Sequence, residues 1–458
     1  MSKKNTLKFK DHYTEAVPKQ FTKLSRSKID IHNLKTNMWN EFVDSDLAEI
    51  LDADCSVFPR ILPGSYLPVI KKTARDISEA VFKLISLSET EIRAIFPSGP
   101  NRDFLLNELK VVKYRPDRLV GSLRFDMAIV GEPTPNNPPK LLEINEIGFD
   151  GLSRMPFIQD VLYKIIPGLD KKYFSLDTSR AEIKNMARLG PSLARFQQDQ
   201  YNWDEELLHR KSKLMKYDLK LISPTQLKCR IDKKEYPLAI KDHVVIKNGR
   251  IHIGDWTPSG FMVSFALELS DYKKYHDFFA ELVRKKAPHY GPFVTGLFAS
   301  KSILSVLADP AIQRMTLGST NRLKNVILPA QMLNATSKEA ALLHPEEFVI
   351  KHVDGFGGYH VFMDNELVKT IKKTSTKKFN NWVLQERVKI NCINIDGFKS
   401  KPKRTIADLG VFCHYDWSHG KFNHFEVGGF LSRATNMSWK VNVSSGGSQV
   451  GVMFTKDF

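Results

Sequence analysis

Hydrophobic positions along the chain change period several times, and each change marks an element. Ile70, Ala74, Ile77, Val81, Leu84 and Ile85 recur at helical intervals. They predict a helix within Ile70–Phe96 that the cluster Pro97-Ser98-Gly99-Pro100 ends. From Leu123 to Val130 the pattern reads as a strand, Gly131–Pro139 as a Pro/Asn loop, and Leu141–Asn145 as a second short strand. A middle region, about 166–295, mixes helical patterns with strands at His243–Ile246 and Arg250–Ile253, and a helix is expected through Tyr272–Lys286. The last third is strand-rich. Strands are expected at Phe348–Val353, Tyr359–Phe362, Trp382–Glu386, Ile406–Phe412 and Glu426–Ala434, with a glycine turn at Asp354–Gly358. The Lys/Thr/Ser run Lys369–Lys378 reads as an exposed loop or lid edge. There is no internal repeat, and the mixture of helical and strand periods predicts an α/β or α+β protein.

Composition narrows the class. A chain of 458 residues suggests two to four structural units. With 42% hydrophobic and 26% charged residues it reads as a globular protein, which excludes wholesale disorder, collagen and a small disulfide scaffold. Lys+Arg 68 against Asp+Glu 51 gives a net charge of +17, which favours anionic partners such as nucleotides, acidic substrates, nucleic acid or anionic lipid. Cys55, Cys229, Cys392 and Cys413 are scattered and form no C-x-x-C pair, so a reducing compartment fits and a zinc site does not. Residues 1–30 form a basic arm without the apolar run of a secretory signal, and no stretch approaches the ~20 apolar residues of a membrane span. The expectation is a soluble, cytoplasmic protein with no membrane partner.

Four constellations carry chemistry. The first is Arg124-x-Asp126 followed by Glu143-x-Asn145. Residues i and i+2 of a strand share a face, so a hairpin of these two strands would present two carboxylates, an amide and a guanidinium together. Such an oxygen-rich set suits Mg²⁺ completed by water and phosphates; an ordinary surface hairpin is the plain alternative. The second is Lys351 before Asp354-Gly355-Phe356-Gly357-Gly358. An ammonium in mid-strand is costly to desolvate without a partner, and phosphate is a natural one. The glycines would let backbone N–H groups approach its oxygens, although the order is not that of a Walker A loop. The third is Val383-Leu384-Gln385-Glu386, a strand end that could read adenine through its backbone and ribose through a carboxylate. The fourth is Gly428–Arg433 with Val441–Gly447, where Arg433 would suit the oxygens of a developing acyl phosphate.

In this order the four resemble the circularly permuted ATP-grasp family, whose better-known members include glutathionylspermidine synthetase. Ordinary ATP-grasp ligases place the lysine and glycine loop first and the metal strands last; here Arg124–Asp126 and Glu143–Asn145 come first. Lys301 opens a segment similar to the family's first nucleotide lysine, with Lys324 as the alternative, and Val326–Pro329 resembles the apolar-Pro strand that follows. Gly428–Arg433 through Asn442–Gly447 is similar to a carboxyl-terminal signature of permuted members. The family often has Tyr in the E-x-N strand and Thr-Pro after it, where this chain has Ile144 and Glu146–Asp150. No N-terminal amidase nucleophile is evident.

The resemblance implies two α+β subdomains clamping ATP, plus a middle α/β region. The expected divisions are a basic arm at 1–30, a helical region at 31–104, metal strands at 105–165, a substrate-side region at 166–295, and the ATP lid with the remaining core at 296–458. It implies ATP and Mg²⁺ as cofactors, with ATP contacts from Lys301, Lys351, Gly355, Gly357, Gly358, Gln385, Glu386 and Asn442. Asp126, Glu143 and Asn145 would hold the metal, and Arg124 and Arg433 would be catalytic. The implied reaction joins a small-molecule or peptide carboxylate to an amine through an acyl phosphate, in one cleft lined by both halves of the chain. Two rivals remain. Asp408-Leu409-Gly410 superficially matches the kinase Asp-x-Gly, but no His-Arg-Asp loop precedes it. The charge and basic arm would also suit a nucleic-acid-binding protein with a degenerate nucleotide fold, although no aromatic-basic RNA motif is present.

Overall fold

The computed structural model describes residues 31–47, 54–146, 151–196, 203–222, 228–231, 234–237, 244–263, 279–355, 360–395, 403–435 and 448–456. Among them, twelve strands form one mixed sheet whose spine is Arg118–Ala128. Leu409–Ser418 pairs antiparallel along the whole of one side of this spine. Beyond it come Lys421–Ala434, Ser448–Val450 and Asp54–Cys55. The other side of the spine forks. Lys140–Asn145 pairs antiparallel with its second half, while Val120 in its first half takes His289–Tyr290 in parallel. From there Gly260–Val263, Ser192–Phe196 and Asp218–Ile222 continue in parallel, so strands of the middle region extend the same sheet.

Every position of Leu409–Ser418 is buried, because helices cover both faces of the sheet there. Leu67–Ile85 packs on one face, with Phe82 against Tyr415 and Trp417. Thr178–Met186 covers the other, with Ile183 and Met186 in the cluster that holds Val120 and Phe412. The expected helix over Ile70–Phe96 is two helices. Leu67–Ile85 stops, and Ser88 with Glu91 forms a capping box that starts Glu89–Ile95.

Gly121 marks the tightest crossing of the spine. A Cβ there would lie 2.8 Å from the Gly291 nitrogen and 2.4 Å from the Tyr415 hydroxyl. The Gly291 N–H donates to Val120 O at 2.8 Å, so that backbone has no freedom to withdraw. Gly121→Ala is therefore expected to destabilise the protein by about 1–3 kcal/mol, read as a lower urea midpoint with unchanged slope.

A second sheet of four antiparallel strands runs Ala330–Met332, Trp382–Glu386, Phe348–His352, Val361–Phe362. Helices Ala335–Leu343 and Asp364–Lys373 pack on one side of it, around Ile350, Leu367, Ile371 and Leu384. The first half of the basic run expected as a loop, Lys369–Lys373, belongs instead to the second of these helices, whose inner stripe is buried through Leu367 and Ile371, four residues apart. Backbone hydrogen bonds tie the segments flanking this small sheet to the large one. Leu141 N–H donates to Val326 O at 2.9 Å, and Asn391 N–H donates to Ile129 O at 3.0 Å. Ile406–Phe412, expected as one strand, is broken at Ala407–Asp408 between Lys403–Ile406 and Leu409–Ser418. The basic arm at 1–30 and the first part of the expected helix Tyr272–Lys286 lie outside the described residues. Among the described residues no helix is long and apolar enough to cross a membrane.

Candidate active site

Asp126 stands directly opposite Glu143, and Arg124 opposite Asn145, across one antiparallel ladder. Cross-strand partners project to the same face, so the period-two spacing in the sequence places all four together. The alternate residues Phe125, Met127, Leu141 and Ile144 enter the core on the opposite face. Arg433 joins the polar face from Lys421–Ala434. Gly410 pairs with both Asp126 and Leu431, and Arg433 lies two residues beyond Leu431. Gly410 also makes room for a side chain to cross, since a Cβ there would stand 3.2 Å from Arg124 Cδ.

These residues neutralise one another. Arg124 Nε donates to Asp126 Oδ1 at 2.7 Å. Arg433 Nη2 donates to Asp126 Oδ2 at 2.7 Å, as does Asn145 Nδ2 at 2.9 Å. Arg433 Nε donates to Asp408 Oδ2 at 2.9 Å, and its backbone N–H to Asp408 Oδ1 at 2.9 Å. Burial pushes the Asp126 carboxyl up, but the two guanidinium charges outweigh it and hold its pKa down at about 2. Asp408 goes the other way: burial raises it, Arg433 lowers it, and the like charge of Asp126 adds to the rise.

The small sheet supplies the lysines. Val349, Lys351, Val383 and Gln385 share one of its faces, by the pairings Val349–Gln385 and Lys351–Val383. Lys351 is 7% exposed, and its Nζ donates to the Leu142 carbonyl at 2.8 Å, on the strand that carries Glu143. Burial lowers its pKa to about 8, against the pull of Glu143. Lys301 is equally buried, just ahead of the helix Ser302–Ala308. Its ammonium lies 2.8 Å from Glu143 Oε1 and also bonds the Gly355 carbonyl. Gln385 is buried, and its Nε2 has no hydrogen-bond partner among the described residues.

The structure therefore gathers Arg124, Asp126, Glu143, Asn145, Lys301, Lys351, Gly355 and Arg433 into one region, with Gln385 on the Lys351 face. Glu386 is not part of it; the residue is exposed at the strand end, and strand alternation turns it away from Gln385. Lys324, the alternative to Lys301, is exposed. Gly357, Gly358 and Asn442 lie outside the described residues. Asp408 and Asp354 were not singled out as site residues. The signal at Asp408 is its kinase-like tripeptide, which says nothing of the Arg433 guanidinium it holds. Asp354, just after the strand Phe348–His352, has a carboxyl pushed up by burial and lies in the field of Lys301.

As a metal set the residues fit in part. Glu143 Oε2 and Asn145 Oδ1 have no protein partner among the described residues and are the hard oxygens Mg²⁺ prefers. Both oxygens of Asp126 are taken by N–H donors.

Neither a protein-family model nor a curated protein matches the chain. Among solved structures, it is similar to a glutathione synthetase-like effector from Globodera pallida in its apo form, at 13% identity and a TM-score of 0.64. That alignment covers 94% of this chain and 99% of the effector. D-alanyl-alanine synthetase A from Vibrio cholerae O1 biovar eltor aligns over 55% of this chain and 86% of its own, at 9% identity and a TM-score of 0.28, too low to carry an argument. The chain thus shares its fold, along almost its whole length, with that glutathione synthetase-like effector.

Proposed function

We propose that the protein is an ATP-dependent ligase of the circularly permuted ATP-grasp type, joining a carboxylate to an amine. The observation that carries the reading is Lys351. It is a buried ammonium whose hydrogen-bond partner is a neutral carbonyl, and it shares a face with the orphaned amide of Gln385. Among the described residues Lys351 makes no direct ion pair, and a nucleotide phosphate would supply one beyond the more distant pull of Glu143. Lys301 stands beside it on Glu143, Arg124 lies on the strand paired with that of Glu143, and Arg433, from a strand beyond Leu409–Ser418, meets Arg124 at Asp126. Phosphate-binding and anion-binding groups from segments more than 200 residues apart thus converge.

In this reading Lys301, Lys351, the glycine turn and Gln385 bind ATP. Glu143 and Asn145 would hold Mg²⁺, which supplies charge neutralisation to the phosphates. The substrate carboxylate attacks the γ-phosphorus; an O–P bond forms, the bond to the β-phosphate oxygen breaks, and ADP leaves. The amine then attacks the acyl carbon, the C–N bond forms, and phosphate departs as the nitrogen loses a proton. Arg124 and Arg433 stabilise the negative oxygens in both steps by preorganised charge. Residues 166–295 would wall the side where carboxylate and amine enter, and the protein would work in the cytoplasm.

The test is ADP and phosphate release across a panel of amino acids, short peptides and polyamines, offered in acid–amine pairs. The expected result is release in equal amounts that requires Mg²⁺ and both members of one pair. Nucleotide binding with no release for any pair would leave a binding protein and remove the ligase.

A further inference from the structure

The carboxylate of Asp126 sits among donors that belong to other residues. Its Oδ1 accepts from Arg124 Nε, and its Oδ2 accepts from Arg124 Nη2 at 3.2 Å, Arg433 Nη2 at 2.7 Å and Asn145 Nδ2 at 2.9 Å. A carboxylate oxygen has about two lone-pair sites, and Oδ2 already meets three N–H groups. A divalent cation on that oxygen would stand against two guanidinium charges.

Asp408 is built the same way. One oxygen takes the Arg433 backbone N–H and the other its Nε and Nη2. Its own backbone is pinned: the carbonyl accepts from Arg60 Nη1 at 2.7 Å and Ser432 Oγ at 2.6 Å, and its N–H donates to Arg433 O at 3.1 Å. Arg433 is consequently gripped along its Nε–Nη2 edge by two carboxylates that are 3% and 1% exposed. Its Nη1 has no partner among the described residues, and the side chain keeps 15% exposure. A guanidinium fixed on one edge and open at the remaining nitrogen is a preorganised anion donor.

We infer that Asp126 and Asp408 are positioning residues and not metal ligands. Together they aim Arg433, and Asp126 ties Arg124 to it, so that the pair receives the oxygens of an acyl phosphate while the metal rests on Glu143 and Asn145. The inference deepens the ligase reading and rests on it for the identity of the anion.

Two measurements on the full chain decide it. The first is Mn²⁺·ADP binding, followed by the electron paramagnetic resonance of the ion. Asp126→Asn and Asp408→Asn are expected to stay within about twofold of wild type, and Glu143→Gln to lose tenfold or more. The second is proton exchange at the arginine Nε–H groups by ¹⁵N NMR, assigned with Arg124→Lys and Arg433→Lys. Slow exchange is expected at both arginines in the wild type. Asp408→Asn should accelerate Arg433 alone by tenfold or more and abolish its shift on titration with acetyl phosphate. If an Asn variant fails to fold, the Glu variant at the same position moves the carboxylate by one methylene and is read in its place. Equal loss of Mn²⁺·ADP affinity in Asp126→Asn and Glu143→Gln would overturn the inference. So would unprotected Arg433 Nε–H in the wild type, or an acetyl phosphate shift that survives Asp408→Asn. Absence of Mn²⁺·ADP binding to the wild type would instead remove the ligase reading, with the exchange data still deciding what Asp126 and Asp408 hold.

Discussion

The substitution Arg433→Met should cost the fold about 3–5 kcal/mol at neutral pH. Methionine fills much of the same space, so the loss is one of charge. Asp126 would retain Arg124 and Asn145, but Asp408 would keep only its neutral partner, the backbone N–H of residue 433. A buried carboxylate without a cation is the situation proteins avoid by protonating it. Burial already pushes Asp408 up, and removing Arg433 should raise it further. A carboxyl whose folded pKa exceeds its unfolded value destabilises above the unfolded pKa and stops doing so once it is protonated. The gap between variant and wild type should accordingly be wide at about pH 7 and narrow towards pH 4. The wild type adds its own limb. Its Asp126 is held at about 2 against an ordinary 3.8, so that group's stabilising contribution is complete above 3.8 and fades as pH falls toward 2. Urea titrations at several pH values measure both effects. A gap independent of pH would mean that Arg433 stabilises by packing and not by neutralising Asp408.

What the sequence disclosed and what it concealed divide along the range of the interactions. The pairing of Asp126 with Glu143 and of Arg124 with Asn145 was legible because strand alternation is local, and a polar i, i+2 pair flanked by Phe125 and Ile144 can be sorted onto faces by inspection. Lys351 was legible as an ammonium that needs an anion, because Val349 and Val353 left it no polar company. Its sharing of a face with Gln385 follows from the same alternation. The partner of each charge was not legible. Asp126 meets Arg433 across 307 residues, and nothing in either motif says that this carboxylate is occupied by a guanidinium and unavailable to a metal. Asp408 was visible only as part of a tripeptide, and its role depends on a loop that ends beside Arg433. The basic run at Lys369–Lys378 misled because lysines on the solvent side of a helix look like a loop when Leu367 and Ile371 are not counted with them. The forked sheet was beyond reach for a different reason. Strands such as Gly260–Val263 and His289–Tyr290 carry no mark of their neighbours, and strand order is settled only when the chain packs.

Lys351→Met should weaken ATP binding by about 10- to 150-fold, the value of one charge-assisted contact of about 1.5–3 kcal/mol. The fold should not suffer. Burial lowers the lysine from 10.5 to about 8, so holding the ammonium inside costs the wild type stability. That cost is complete below pH 8, fades between 8 and 10.5 as the unfolded chain also loses its proton, and is absent in the methionine variant. The variant should therefore be at least as stable as the wild type at neutral pH. The same lysine gives binding a proton signature. At about pH 8.5, roughly half a unit above the midpoint, most Lys351 side chains of the free protein would be neutral, whereas a bound triphosphate favours the ammonium. Binding must then take up a fraction of a proton, and affinity must fall as pH rises through 8. Calorimetry at that pH in two buffers of different ionisation enthalpy reads the uptake directly. In Lys351→Met the uptake should vanish along with the affinity. Wild-type affinity in the variant would remove Lys351 from the nucleotide site. Weakened binding with the proton uptake intact would assign the titration to another group and leave Lys351 as a fixed charge.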